Sequence, residues 1–210
     1  MINPDRRRAA LALTAIGLGA ALLLAGVDRL TRDRIEAAEQ RRALATLSAL
    51  LPAGTFDNEL LDDAIVLALP GLEQPARVYR ARRNGQPVAS LVDLVTSRGY
   101  SGDIRLLVAV DPEGTVLGVR VLAHRETPGL GDKIERQRSD WITQFRGRSL
   151  GQPPAEAWAP DQRGGDFDTL TSATITTDAV IHAVRSALSA LEQTDPERLW
   201  ARSTANREAH

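Results

Sequence analysis

From Ala9 to Val27 the chain reads AALALTAIGLGAALLLAGV, nineteen residues without a charge. As a helix this stretch is about 28 Å long, close to the hydrocarbon thickness of a bilayer, and it predicts a transmembrane helix over 9–27. A cleaved secretory signal has an apolar core of about 7–15 residues and ends at a small-residue cleavage site. Here Asp28 and Arg29 follow the run directly, so an uncleaved anchor is expected, and the absence of Cys excludes a lipoprotein. Arg6, Arg7 and Arg8 form an undiluted basic block on the short tail 1–8, whereas Arg29, Arg32, Arg34, Arg41 and Arg42 are interleaved with Asp28, Asp33, Glu36 and Glu39. That asymmetry predicts the tail inside the membrane-bounded compartment and the rest of the chain outside.

Residues 29–51 are rich in strong helix formers, with Ile35, Ala38, Leu44, Leu47 and Leu51 at three- to four-residue spacing for much of the length, and PAGT at 52–55 supplies the breakers. A helical stalk over 28–55 is therefore expected, then a globular domain over 56–195 and a loose tail over 196–210. In VYRARRNGQPVASLVDLV, residues 78–95, Asn84-Gly85 stands between two strand-like runs and predicts a tight hairpin. IRLLVAVDPEGTVLGVRVLAH, residues 104–124, repeats the design around an Asp111-Pro112-Glu113-Gly114 turn. Together they predict an antiparallel sheet of about four strands. The segment KIERQRSDWITQF carries Ile134, Trp141, Ile142 and Phe145 for one helical face, residues 146–168 read as an irregular loop, and a last helix is expected over about 176–193. That helix has Val180, Ile181, Val184, Leu188 and Leu191 on one side. The fold class is α+β, an antiparallel sheet with packed helices.

A formal net charge of −1 gives no electrostatic reason to expect nucleic acid. Without Cys there are no disulfides, no iron–sulfur clusters and no Cys-ligated zinc. His124, His182 and His210 show no metal-ligand spacing, so no metal site is expected. Lys133 is the only lysine.

The stretch DFDTLTSATITTDAV, residues 166–180, puts six hydroxyls (Thr169, Thr171, Ser172, Thr174, Thr176 and Thr177) into nine positions before the last helix. Helix capping accounts for one or two of them. A second reading is an anion site at the helix start, where free N–H groups and the helix dipole favour a phosphate. A third makes one hydroxyl a nucleophile, which needs a base within reach. His182 lies eight residues after Thr174, about 12 Å along a helix, and cannot serve locally.

Two stretches resemble a known family. DTLTSATITT (168–177) is similar to the flavinylation motif Asp-x-x-Ser/Thr-Gly-Ala-Thr of FMN-binding domains, and HRETPGLGDKI (124–134) resembles their His-x-Glu-Thr-Pro-Gly-Leu-Gly-x-Lys loop. With the amino-terminal anchor, the length, and GYSGDI before the second hairpin, the whole chain resembles the RnfG (RsxG) proteins of Rnf (Rsx) ion-translocating electron-transport complexes. The resemblance implies that Thr174 carries covalent FMN through a phosphoester, attached by a separate flavin transferase that uses FAD and Mg²⁺. Asp168, Thr171, Ala173 and Thr174 fall in register with the motif, while Ser172 stands where Gly is usual. Asp168, Thr171, Ser172, Ala173, Thr176 and Thr177 would shape the acceptor loop and hold the phosphate. Gly129 and Gly131 would allow close backbone approach to a flat ring, with Leu130 for apolar contact. Glu126, Thr127 and Lys133 are candidate polar contacts, Tyr100 a candidate ring neighbour, and His124 a contact or a cap of the strand end. Trp141, Trp158 and Trp200 are assigned to packing.

The implied activity is electron relay within a complex that passes electrons between ferredoxin and NAD and moves Na⁺ or H⁺ across the bacterial inner membrane. The cofactor supplies the redox chemistry, so no catalytic side chain and no stand-alone turnover are expected. The implied partners are the other Rnf membrane subunits, including a second flavinylated one, with the amino terminus cytoplasmic and the main domain periplasmic. The alternatives are the corresponding flavinylated component of the Na⁺-translocating NADH:quinone reductase, a tethered extracytoplasmic anion-binding or sensing module without covalent flavin, and a secreted hydrolase.

Overall fold

The computed structural model describes residues 17–18, 44–52 and 54–201. The span expected at 9–27 lies outside them except for Gly17 and Leu18, as do tail 1–8, most of the stalk, and residues 202–210. Among the described residues no helix is long and apolar enough to cross a membrane. From Thr46 onward the chain forms one compact unit.

Its centre is a five-stranded antiparallel meander in the order of the sequence: β1 (Ala64–Leu67), β2 (Ala76–Arg83), β3 (Gln86–Thr96), β4 (Ile104–Val110) and β5 (Val116–Ala123). The β2–β3 hairpin closes through Asn84 and Gly85, at φ 52° and 78°, the two positive values its tight turn requires. The β4–β5 turn is held by Asp111, whose Oδ1 accepts the Thr115 N–H at 2.7 Å. Both expected hairpins are present, and β1 adds a fifth strand beside β2.

Side chains of a strand alternate between the two faces of the sheet. Val78, Val92, Leu94, Leu106 and Val108 meet the long helix α1 (Thr174–Glu192), which buries Val180, Ile181, Val184, Ala187 and Leu188. Leu91 and Leu107, on the opposite face, are buried as well. The sequence places the start of α1 at about 176; the helix begins two residues earlier, at Thr174.

Between β5 and α1 the chain is mostly irregular, with 3-10 turns at Gly131–Ile134 and Trp141–Phe145 where one amphipathic helix is expected. Ile134, Trp141, Ile142 and Phe145 are nevertheless all buried. Phe145 stacks on Phe167 (centroids 5.0 Å apart), and Trp158 lies 4.8 Å from Phe167, an aromatic core that holds the irregular segment together. Trp141 Nε1 donates to the Asp168 carbonyl, tying this cluster to the chain just before α1.

The tail expected from 196 begins instead as a short helix, α2 (Pro196–Trp200), capped by Asp195, whose Oδ1 accepts the Glu197 N–H at 2.9 Å. Asp-Pro-Glu is a helix-start signal, with the cap followed by proline at the first helical position. Arg80, fully buried in β2, donates to the Leu199 and Ala201 carbonyls, and Arg82 donates to the Trp200 carbonyl at 2.8 Å. Asp63 pairs with both arginines.

Candidate functional site

Three segments converge on the carboxylate of Glu126. The residue is almost fully buried at the end of the β5 extension, and its Oε1 accepts the Ser101 N–H at 3.0 Å from the β3–β4 loop. Its Oε2 accepts the hydroxyl of Thr176, itself buried in the first turn of α1. Each of these bonds satisfies a buried polar group that would otherwise be costly to remove from water. Two glycines permit the approach. A Cβ on Gly131 would lie 2.8 Å from Glu126 Cβ and 3.2 Å from Thr176 Oγ1. A Cβ on Gly99 would meet the Gly102 carbonyl at 2.2 Å and Glu126 Oε1 at 2.8 Å.

The loop leading into this hub is internally braced. Thr127 contributes its carbonyl, which accepts from Leu130 and Gly131 at 3.1 Å each, while Gly129, at φ 79°, donates its N–H to Asp132 Oδ1 at 2.8 Å. His124 Nδ1 accepts the Glu126 N–H at 3.0 Å, and Nε2 meets Glu135 Oε1 at 2.8 Å. Since a nitrogen that accepts carries no proton, the Nε2–H tautomer is the one that satisfies both bonds. His124 thus braces the loop from behind. Lys133 is exposed, and its carbonyl accepts from Ser139 Oγ at 2.6 Å.

The hydroxyl cluster divides cleanly. Thr169 donates to Asp161 Oδ1 at 2.5 Å, and this bond holds the Asp161 carboxyl below its ordinary range. Thr176 serves Glu126, and Thr177 Oγ1 accepts the Leu170 N–H at 3.1 Å. Thr171 and Ser172 are exposed, and neither hydroxyl is bonded among the described residues. Thr174 is half-buried and likewise unbonded there. None of the six caps the helix: the N-cap is Ala173, which has no side chain to offer. The first ladder bond runs from the Thr177 N–H to the Ala173 carbonyl (2.9 Å), leaving the N–H groups of Thr174, Ile175 and Thr176 at the open, electropositive end.

The chain enters this helix through a turn closed by the Ala173 N–H and the Leu170 carbonyl at 3.0 Å. Its third residue, Ser172, has φ 72°, the value a type II turn demands and glycine takes most readily. Asp168 is exposed, with its N–H donated to Gln144 Oε1 at 2.8 Å, so its backbone anchors the turn from the aromatic core.

Around the hub stand three of the most exposed large apolar side chains: Tyr100 (69 %), Ile175 (52 %) and Leu130 (41 %). Each is the immediate chain neighbour of a residue that touches Glu126: Ser101, Thr176 and Gly131. Tyr100 and Leu130 are evident from the sequence; Gly99, Ser101 and Ile175 join the site without standing out individually. An isolated apolar residue among threonines carries no sequence signal until its neighbours are known to face inward.

The FMN-binding domain family model matches residues 99–189, and the RnfG N-terminal region model matches residues 1–50. The G component of the ion-translocating oxidoreductase complex of Pseudomonas aeruginosa is 44% identical over 176 residues, which cover 82% of this chain and 81% of that protein. The protein of the same description from Yersinia pestis is 42% identical over 195 residues, 91% and 92% of the two chains. That from Pseudoalteromonas atlantica is 43% identical over 159 residues, 74% of each. Identity of this order over most of the chain, with the FMN-binding match spanning every residue of the Glu126 hub, means that the chain belongs to the RnfG family of ion-translocating oxidoreductase complexes.

Proposed function

We propose that Thr174 carries FMN through a phosphoester on its hydroxyl, and that the flavin so held relays electrons within an ion-translocating ferredoxin:NAD oxidoreductase. One observation carries the assignment: of the six clustered hydroxyls, Thr174 is the one that is both half-buried and unbonded, at the first position of an uncapped helix. A phosphate on that oxygen lies where the helix lacks acceptors for its first N–H groups and where the dipole favours negative charge. The residues present fit the rest of the cofactor. Tyr100, Leu130 and Ile175 offer apolar surface for a flat ring, Gly129 leaves the space beside the loop backbone open, and Gly131 lets the loop close on Glu126. Thr171 and Ser172 add hydroxyls beside the phosphate, while Thr176 and Thr177 fix the helix start from inside.

Bound FMN supplies the one- and two-electron redox chemistry. The chain's own part is to hold and orient: Glu126 locks the two loops and the helix start to one another, and the covalent link replaces a concentration-dependent equilibrium with permanent local presence. The reading includes a flavin transferase for maturation and docking of the amino-terminal anchor among the other membrane subunits, with the domain on the periplasmic side. The match of residues 1–50 to the RnfG N-terminal region favours this complex over the NADH:quinone reductase.

The test is intact mass and in-gel fluorescence of the denatured full-length chain, co-expressed with a flavin transferase, for wild type and Thr174→Val. Retained fluorescence and one FMN-sized mass increment in wild type alone are expected. A wild-type chain without covalent flavin, under conditions that modify a known acceptor, would overturn the assignment and favour a tethered anion-binding module.

A further inference from the structure

We propose that a second site, a cleft beside the edge strand β5, binds a phosphoanion. The cleft has a volume of about 380 Å³ and is walled by residues 49–52, by residues 117–120 of β5, and by Arg136, Ile142, Thr143 and Arg146. None of these residues belongs to the Glu126 hub, so the inference stands independently of the flavin assignment.

Among the described residues, three guanidinium groups and no carboxylate line the cleft. Arg136 is already paired with Asp140, but Arg120 and Arg146 have no acidic partner among the described residues. Arg120 Nε is buried and has no acceptor among the described residues. A charged donor taken out of water without an acceptor is unfavourable, and in a native fold it marks a place where an acceptor belongs. Two uncommitted arginines match the charge of a phosphate, and their planar forks match its oxygen geometry better than lysine would.

The rest of the lining is largely apolar. Leu50, Leu51, Leu117 and Ile142 face the same space, which suits a phosphate that carries hydrocarbon. Gly118 lets Leu50 lie close on the strand: a Cβ there would stand 3.0 Å from Leu50 Cδ2, so the Leu50 side chain would have to shift to make room. The shared chemistry is a phosphate oxygen set beside apolar surface, and both a free phosphoanion and an anionic lipid headgroup present it.

The experiment uses the full-length chain, in detergent micelles titrated with glycerol 3-phosphate and in nanodiscs of phosphatidylcholine with or without phosphatidylglycerol. Binding is read by calorimetry or native mass spectrometry for wild type, Arg120→Gln and Arg146→Gln, with flavin incorporation and the unliganded thermal midpoint as folding controls. Wild type binds one probe, and each variant weakens it by about tenfold at unchanged flavin content. Binding of glycerol 3-phosphate in micelles identifies a free phosphoanion; binding of phosphatidylglycerol alone identifies a lipid headgroup. If neither probe binds wild type, or if the exposed Arg146 can be replaced without effect on whichever probe does, the cleft is not an anion site.

Discussion

Ser172 sits at φ 72°, where its Cβ crowds the backbone. The left-handed conformation costs a non-glycine residue about 1–2 kcal/mol, and glycine returns about 0.5–1 kcal/mol of that through its greater freedom in the unfolded chain. The difference favours glycine, so Ser172→Gly should stabilise the domain by about 0.5–1 kcal/mol in denaturant unfolding, without lowering flavin incorporation. A loss of stability would mean that the serine hydroxyl has a role no hydrogen bond in the fold reveals. Gly131 makes the opposite case. The Cβ of an alanine would fall 2.8 Å from Glu126 Cβ, and neither Glu126 nor Thr176 can retreat without breaking their mutual bond. Gly131→Ala should cost about 1–3 kcal/mol and reduce flavin retention together with stability. Glu126 itself separates two effects. Alanine leaves the buried Thr176 hydroxyl unpaired, at about 1–3 kcal/mol, and gives the Ser101 N–H up to solvent, whereas glutamine keeps one acceptor and offers a donor to the Thr176 oxygen. Glu126→Ala should therefore destabilise substantially more than Glu126→Gln in the same unfolding measurement.

At the scale of elements, α1 is both the core's main helix and the site's platform, and its exposed side carries a pH dependence. His182 lies among Arg98, Arg185, Asp178 and Glu73; partial burial and then the Arg98 charge hold its imidazole below the ordinary 6.5. The folded state thus takes up a proton less readily than the unfolded chain. The stability this represents is fully present above pH 6.5 and is lost as pH falls below it toward the folded pKa. His182→Gln should flatten the acid side of the stability profile measured by denaturant midpoint, while leaving the plateau above neutrality in place. The elements also differ in how far the sequence foretells them. Both hairpins were legible because Asn84-Gly85 and Asp111–Gly114 are turn chemistry that acts locally. The 3-10 turns between residues 131 and 145 were not, because the apolar spacing correctly marks Ile134, Trp141, Ile142 and Phe145 as core but says nothing about continuity. The break lies at Ser139, whose hydroxyl donates to the Lys133 carbonyl and accepts the Trp141 N–H at 3.2 Å, offering the backbone an alternative to the helix. At the proposed site, Thr174, Ser172 and the two loop glycines stand out in the sequence through the motifs they resemble. The missing N-cap does not, because the capping position falls on Ala173 and not on a hydroxyl residue, and neither does the burial of Glu126, which depends on a contact between residues fifty apart.

For the molecule from Thr46 onward, the two ends of α1 serve different ends. Its first turn belongs to the Glu126 hub, and its last runs into α2, about 28 Å further along. There the fold is closed electrostatically. Arg80 is 1 % exposed, and its charge is balanced by Asp63, which also bonds Arg82 Nε at 2.8 Å and accepts from Asn58 Nδ2 at 3.2 Å. The two guanidiniums then donate to the carbonyls of Leu199, Trp200 and Ala201, so the final helix is clamped to β2 by the charges that Asp63 neutralises. Asp63→Asn removes the neutralising charge and turns one of its oxygens into a donor facing arginine donors. A buried cation left unpaired costs about 3–5 kcal/mol, reduced here to about 2–4 because Asp63 is itself partly exposed. The loss should appear as lower global stability together with faster amide exchange across Pro196–Trp200. Flavin incorporation, proposed at Thr174, should stay at the wild-type level under conditions where the variant remains folded, because none of the Glu126 bonds involves Asp63, Arg80 or Arg82. A variant that loses flavin while still folded would mean instead that the clamp at the carboxyl end of α1 governs the position of its amino end.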